Sequence, residues 1–202
     1  KIASFEIVDL PLIRYAAGTG KPIIISTGMA SFGEIEEAVD AARSSGCTQL
    51  ALLHCVSGYP APAREYNLYT IRDMAERFNV VVGLSDHTLS NVTATTSVAL
   101  GASIIEKHFT LSKKGGGLDD SFSIEPNELA SLVEESHRAW LSKGKIFYGI
   151  TKSEKKSLIF KRSIFTTKNI NKGEIFSEEN IAIVRPGFGV SPINFKKWIT
   201  KR

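Results

Sequence analysis

The sequence predicts an α/β protein: the C-terminal part of a TIM (β/α)8 barrel, followed by a small β-rich domain. Three observations predict it. Apolar strand-like runs and helical patterns alternate through the first 144 residues. Two of the runs, Val80 to His87 and Ser103 to His108, gather their polar residues at the C-terminal end. Parallel α/β folds place ligands and catalytic groups at that end. Beyond residue 160 the helical periodicity gives way to short β-like runs between turns containing Pro and Gly.

Five runs read as strands: Lys1 to Ile7, Pro22 to Thr27, Gln49 to Cys55, Val80 to His87 and Ser103 to Phe109. Helices fit Leu10 to Ala17, Ser31 to Ser44, Tyr66 to Phe78, Asn91 to Leu100 and Pro126 to Leu141. The second helix has the clearest pattern. Ile35, Ala38, Val39, Ala41 and Ala42 form an apolar stripe at helical spacing. Ser31 can cap it, with Glu34 completing a capping box, and Gly46 can end it. Five βα units joined by short loops demand a parallel sheet. Five strands do not close a barrel, and no Gly-rich nucleotide turn follows any strand. The reading is therefore the last five units of an eight-unit barrel over residues 1–144. The chain starts at Lys1, without an initiator Met, inside the fold. Such a cut exposes the edge of the Lys1 strand and is not expected to leave a fragment stable alone.

Residues 145–160 read as a charged connector and 161–202 as the second domain. Arg162 to Thr167 reads as a strand, Asn169 to Gly173 and Ser177 to Asn180 as turns, Arg185 to Val190 as a loop, and Phe195 to Arg202 as a short helix.

Composition narrows the function. A hydrophobic content of 43% with scattered charge fits a globular protein, and a formal charge of +4 without a basic, aromatic-interleaved run argues against nucleic acid. No apolar stretch approaches the ~18–20 residues of a membrane span. Cys47 and Cys55 have neither CxxC spacing nor the density of a disulfide framework, which points to a reducing cytoplasm.

Strand alternation puts Ser85 with His87, Glu106 with His108, and Ser4 with Glu6 on shared faces. Lys1 falls on the face opposite Ser4 unless the strand end is irregular. A single strand histidine is more often a hydrogen-bonded structural group. Two at matching strand ends, one beside a carboxylate, could share a metal ion with positions left open for substrate. His54 and His137 lack such company and read as structural or surface residues. Ser26-Thr27-Gly28-Met29 suits either a phosphate or an ordinary strand-to-helix turn. Lys113 and Lys114 read as solvated residues of a mobile Gly-rich loop, and Asp119 and Asp120 as turn caps or site residues.

Five segments in order resemble the sialic acid synthase family: Lys1 to Glu6, Ser26 to Met29, Cys55 to Pro60, Gly83 to Thr88 and Ile105 to Phe109. From Lys161 the chain resembles the antifreeze-like (SAF) domain that follows the barrel in that family, including the loop Arg185-Pro186-Gly187-Phe188-Gly189. The resemblance implies a transferase condensing phosphoenolpyruvate with an N-acylated amino sugar to a nine-carbon 2-keto acid and phosphate. Ala3 to Leu12 and Asp119 to Ser123 look most like the pseudaminic acid synthases of the family, which implies 2,4-diacetamido-2,4,6-trideoxy-L-altrose as the sugar. N-acetylneuraminate or legionaminate synthesis is the alternative within the family. Another phosphoenolpyruvate or aldol-type barrel enzyme, or an inactive or binding-only fragment, is the alternative outside it.

The resemblance also implies roles. His87 and His108 would hold a divalent metal, Mn2+ first, Mg2+ or Co2+ otherwise. Lys1, Ser4, Ser26, Ser57 and Ser85 would hold phosphate and carboxylate, although relatives making neuraminate usually have Asn at the position of Ser57. Glu6 and Glu106 would position or deprotonate a water. Tyr59 and Asp119 would line the sugar side, and Arg185 would reach the sugar from the partner subunit of a domain-swapped homodimer.

Overall fold

The structure is a computed structural model that describes residues 1–199. The chain forms two compact units, the first Lys1–Gly144 and the second starting at Lys145.

In the first unit the first two helices begin where the sequence supplies a cap. Asp9 Oδ1 accepts the Leu12 N–H at 3.0 Å, and Pro11 occupies the first turn of α1 (Leu10–Gly18). After β1 (Ile23–Ser26), α2 (Phe32–Ser44) starts with the expected reciprocal box of Ser31 and Glu34. Gly46 follows it at φ +95°, in the left-handed region open to glycine. Next come β2 (Leu50–Cys55), α3 (Tyr69–Phe78), β3 (Val81–Asp86), α4 (Val92–Ala99), β4 (Ile104–Lys107) and α5 (Pro126–Lys143).

The sheet is parallel throughout, in the order β1-β2-β3-β4. β2 is a near-continuous apolar run, and Leu52 and Leu53 on its two faces are both fully buried. Burial on both faces is what a parallel sheet covered by helices requires. Ala38, Val39 and Ala42 of α2 and Ile71 and Met74 of α3 complete the core.

The first strand of the sequence reading is not formed. Ile2 makes one parallel bridge to Ile25, and Ser4–Glu6 is then a 3-10 turn. The reason is local. Asp9 already caps α1, so the chain must leave the sheet within a few residues of Ile2. A 3-10 turn has three residues per turn, which removes the two-residue alternation. Ser4 is buried and Glu6 exposed, so the two do not share a face. The sheet accordingly has four strands rather than five.

Lys113 also departs from expectation. Its ammonium pairs with Glu128 at 2.7 Å, and its backbone N–H donates to Glu125 at 2.8 Å, which ties the Gly-rich loop to the start of α5.

In the second unit, β5 (Ser163–Thr166) pairs antiparallel with β6 (Ile181–Val184), a strand absent from the sequence reading. The helix α6 (Phe195–Trp198) starts where expected, and the last three residues of the predicted helix lie outside the described residues. Among the described residues no helix is long and apolar enough to cross a membrane.

Candidate active site

Register builds the site. Ser85 of β3 lies beside Cys55 of β2 on one side and Glu106 of β4 on the other. Alternation turns Ser85 and Glu106 to the same face, and the Ser85 hydroxyl donates to Glu106 Oε1 at 2.9 Å. The Lys1 ammonium sits 2.5 Å from both oxygens of the same carboxylate. The irregular start of the chain is what allows this, since a regular strand would turn Lys1 away. Burial pushes the Glu106 carboxyl up, but the Lys1 charge and the Ser85 hydroxyl outweigh it and hold the group below its ordinary value.

Beside this cluster is a corner of hydroxyls. Ser4 Oγ and Ser57 Oγ are 2.9 Å apart. Gly28 closes over them at φ +51°, and a Cβ there would lie 2.4 Å from Ser4 Cβ and 2.8 Å from Ser57 Oγ. Only glycine accepts both that conformation and that approach. Ser26, at the end of β1, is 2% exposed and its hydroxyl has no hydrogen-bond partner among the described residues. A buried hydroxyl without a partner is costly, and an anion bound there would satisfy it.

The two histidines meet as expected. Their ring centroids are 5.3 Å apart. His87 Nδ1 lies 2.8 Å from the Val56 carbonyl, which can only accept, so Nδ1 carries a proton and Nε2 is the nitrogen left to face a ligand. The His87 backbone N–H donates to the Tyr66 hydroxyl at 2.7 Å. His108 Nδ1 is 3.5 Å from Asp119 Oδ2. A cavity of about 220 Å³ opens here, lined by Ser85, His87, Glu106, Lys107 and His108.

This donor set fits a divalent cation of intermediate hardness. An outer carbonyl fixing one imidazole tautomer is the usual support of a metal-bound histidine. Among the described residues no third His, Cys, Asp or Glu completes a cluster with them. A cation would therefore have two protein ligands and open positions for oxygens of other molecules.

Tyr59 packs against both histidines, at 4.3 Å from the His87 ring and 5.8 Å from that of His108. Burial raises its hydroxyl pKa, keeping it a neutral donor. Glu6 is not brought in: among the described residues its side chain makes no hydrogen bond or ion pair. Arg185 belongs to the second unit, where its guanidinium lies 6.0 Å from the Phe160 ring centroid. His54 bonds to the Tyr66 carbonyl and His137 stacks on Trp140, so neither joins the site.

Sequence reasoning missed three contributors. Phe122 packs edge-on against His108 at 5.1 Å and tilted against Tyr59 at 5.2 Å. Tyr66 holds the His87 backbone. Asp86 and Lys107 form a buried ion pair directly behind the two histidines. The last had a signal in the sequence, since each residue immediately precedes a histidine.

Residues 1–148 match the family model described as the NeuB family, and residues 161–201 match that of the SAF domain. The chain is 42% identical to the pseudaminic acid synthase of Helicobacter pylori, the match covering 98% of this chain and 58% of that protein. It is 41% identical to the N,N'-diacetyllegionaminic acid synthase of Campylobacter jejuni subsp. jejuni, covering 100% of this chain and 61% of that one. Its fold is similar to the crystal structure of the N-acetylneuraminic acid (sialic acid) synthetase from Leptospira borgpetersenii serovar Hardjo-bovis in complex with citrate. That match has a TM-score of 0.71 and 37% identity, and covers 78% of this chain and 55% of that one. The chain thus spans less than two thirds of the length of these relatives.

Proposed function

This chain belongs to the NeuB family, and from that premise we propose that its parent protein is a phosphoenolpyruvate-dependent synthase of nine-carbon 2-keto sugar acids. One observation carries the proposal. The Lys1–Glu106–Ser85 cluster lies next to an open histidine pair, so sites for an anion and for a carbonyl adjoin. In the whole protein the four-stranded sheet would be part of a closed (β/α)8 barrel, working in the cytoplasm.

The residues divide the work. Lys1, Ser4, Ser26, Ser57 and Ser85 bind the phosphate and carboxylate of phosphoenolpyruvate. Lys1 supplies the charge, and Ser26 gains the partner it lacks. A divalent cation at His87 and His108, Mn2+ in the first instance, would supply Lewis-acid polarisation of the open-chain sugar aldehyde. C3 of phosphoenolpyruvate forms a bond to that aldehyde carbon, whose oxygen becomes a hydroxyl. Water then adds at C2. Glu106, ionised and hydrogen-bonded, is placed to take a proton from it. Exposed Glu6 is the weaker candidate for this role. Breakage of the C2–O bond releases phosphate and leaves the ketone. Tyr59 and Asp119 flank the sugar, and Arg185 of a partner's SAF domain completes it in a swapped homodimer.

Within the family we assign the chain to pseudaminic acid synthesis, with 2,4-diacetamido-2,4,6-trideoxy-L-altrose as the sugar. Phe122 and Tyr59 support this, because their rings make an apolar wall that suits a 6-deoxy position. A sugar hydroxyl buried there would lose its hydrogen bonds to water and find no replacement. The full-length protein should show at least a tenfold higher kcat/KM for this sugar than for N-acetylmannosamine. Steady-state phosphate release with each sugar measures it. A higher value for N-acetylmannosamine would move the protein to neuraminate synthesis.

A further inference from the structure

Asp86 and Lys107 are register partners at the ends of β3 and β4. Their side chains are 0% and 2% exposed, and Lys107 Nζ lies 2.8 Å from Asp86 Oδ2. The same ammonium donates to the Thr88 carbonyl at 2.5 Å, and Asp86 Oδ1 accepts the Thr88 N–H at 2.9 Å. The network thus joins the strand ends and fixes the turn just after His87. Alternation turns both side chains to the face opposite Ser85 and Glu106, and although Lys107 contributes to the wall of the cavity, its ammonium is buried and engaged by Asp86 and Thr88. They are not placed to touch substrate.

A buried ion pair is a poor way to gain stability, because desolvation of both charges consumes most of their attraction. The preceding register pair on the same face, Leu84 and Ile105, is apolar, so that face of the sheet does not itself need charge here. A pair of this kind does impose geometry. It accepts one separation and one register, whereas apolar neighbours tolerate several. Each partner immediately precedes one of the two facing histidines.

We propose that Asp86 and Lys107 are positioning residues that set the separation of His87 and His108 and thereby the affinity of the cation site. The proposal rests on the reading of the histidines as metal ligands. Its test uses Asp86→Asn/Lys107→Met in the full-length protein. This double variant is neutral and of similar volume, and it avoids stranding one buried charge. Mn2+ binding is followed by electron paramagnetic resonance, and folding by thermal unfolding. The variant should keep its Tm within a few degrees while its Mn2+ Kd rises about 10- to 100-fold, the usual range for loss of outer-shell support. A Kd within twofold of the parent would overturn the proposal. Should the double variant unfold, Asp86→Leu/Lys107→Met, also neutral and like the apolar Leu84–Ile105 pair on the same face, is judged by the same criterion. If the parent binds no Mn2+, the metal reading itself fails. The positioning claim is then decided on metal-free protein by nitrogen-15 NMR of the imidazoles. The parent should show His87 as a single Nδ1–H tautomer and the variant a mixture, and identical spectra would reject the claim.

Discussion

Replacing His108 by Ala in the full-length protein should lower kcat by about a thousandfold or more and reduce bound Mn2+ to a small fraction of the parent's. Lewis-acid polarisation of a carbonyl is worth several kcal/mol, and each 1.36 kcal/mol is tenfold in rate. With only the two proposed protein ligands, the loss of one would remove half of the protein's hold. The fold should survive, because the His108 side chain is 35% exposed and is not part of the core. Elemental analysis of the purified variant, thermal unfolding and steady-state rates separate these effects. Parent-level turnover in the variant, or full activity of the parent after thorough chelation, would show that the histidines do not serve a metal.

Mixing two nearly inactive variants should restore activity if the SAF domain works in trans. Arg185 suits the task because it stays charged and presents a planar fork of donors to hydroxyl or carbonyl oxygens. Its stacking near Phe160 restrains it within the second unit. Arg185→Ala should raise the sugar KM about 10- to 100-fold and leave phosphoenolpyruvate binding nearly unchanged, in line with the loss of a charged hydrogen bond of about 1.5–3 kcal/mol. In a mixed dimer of Arg185→Ala and His108→Ala subunits, a swapped arrangement puts both lesions in one site and neither in the other. Each mixed dimer then regains one working site of two. An arrangement within one subunit leaves a lesion in every site and restores nothing. Absence of recovery, with subunit exchange verified by native mass spectrometry, would reject the swap.

Much of the first unit was legible because its periodicities are clean. The apolar stripe of α2 and its Ser31–Glu34 box appear as the sequence indicates, and the strands β1 to β4 fall within the predicted runs. The first run misled because Ile2, Ser4 and Glu6 alternate like a strand, while the Asp9 cap, a stronger local signal, forces the chain off the sheet. β6 escaped notice because four residues directly after a turn carry little pattern.

The core of the site was legible for a different reason. Ser85 and Glu106 sit on two neighbouring strands and His87 and His108 directly follow them, so alternation carried one step past the strand ends brings the four together. Phe122 and the Tyr66 hydroxyl were not legible, because they arrive through loops whose paths periodicity does not describe. The pairing of Lys113 with Glu128 spans 15 residues of loop and helix and was hidden in the same way. Asp86 and Lys107 lie on the opposite face, where the preceding residues Leu84 and Ile105 are apolar and mark no site.

The central claim is that the parent protein joins phosphoenolpyruvate to an amino sugar. Mass spectrometry of the product tests it most directly, with the full-length protein, Mn2+, phosphoenolpyruvate and 2,4-diacetamido-2,4,6-trideoxy-L-altrose. The expected product has the mass of the two substrates plus water less phosphoric acid, and appears mole for mole with inorganic phosphate. Phosphate release without that product, or no reaction with any N-acylated amino sugar of a representative panel, would contradict the claim.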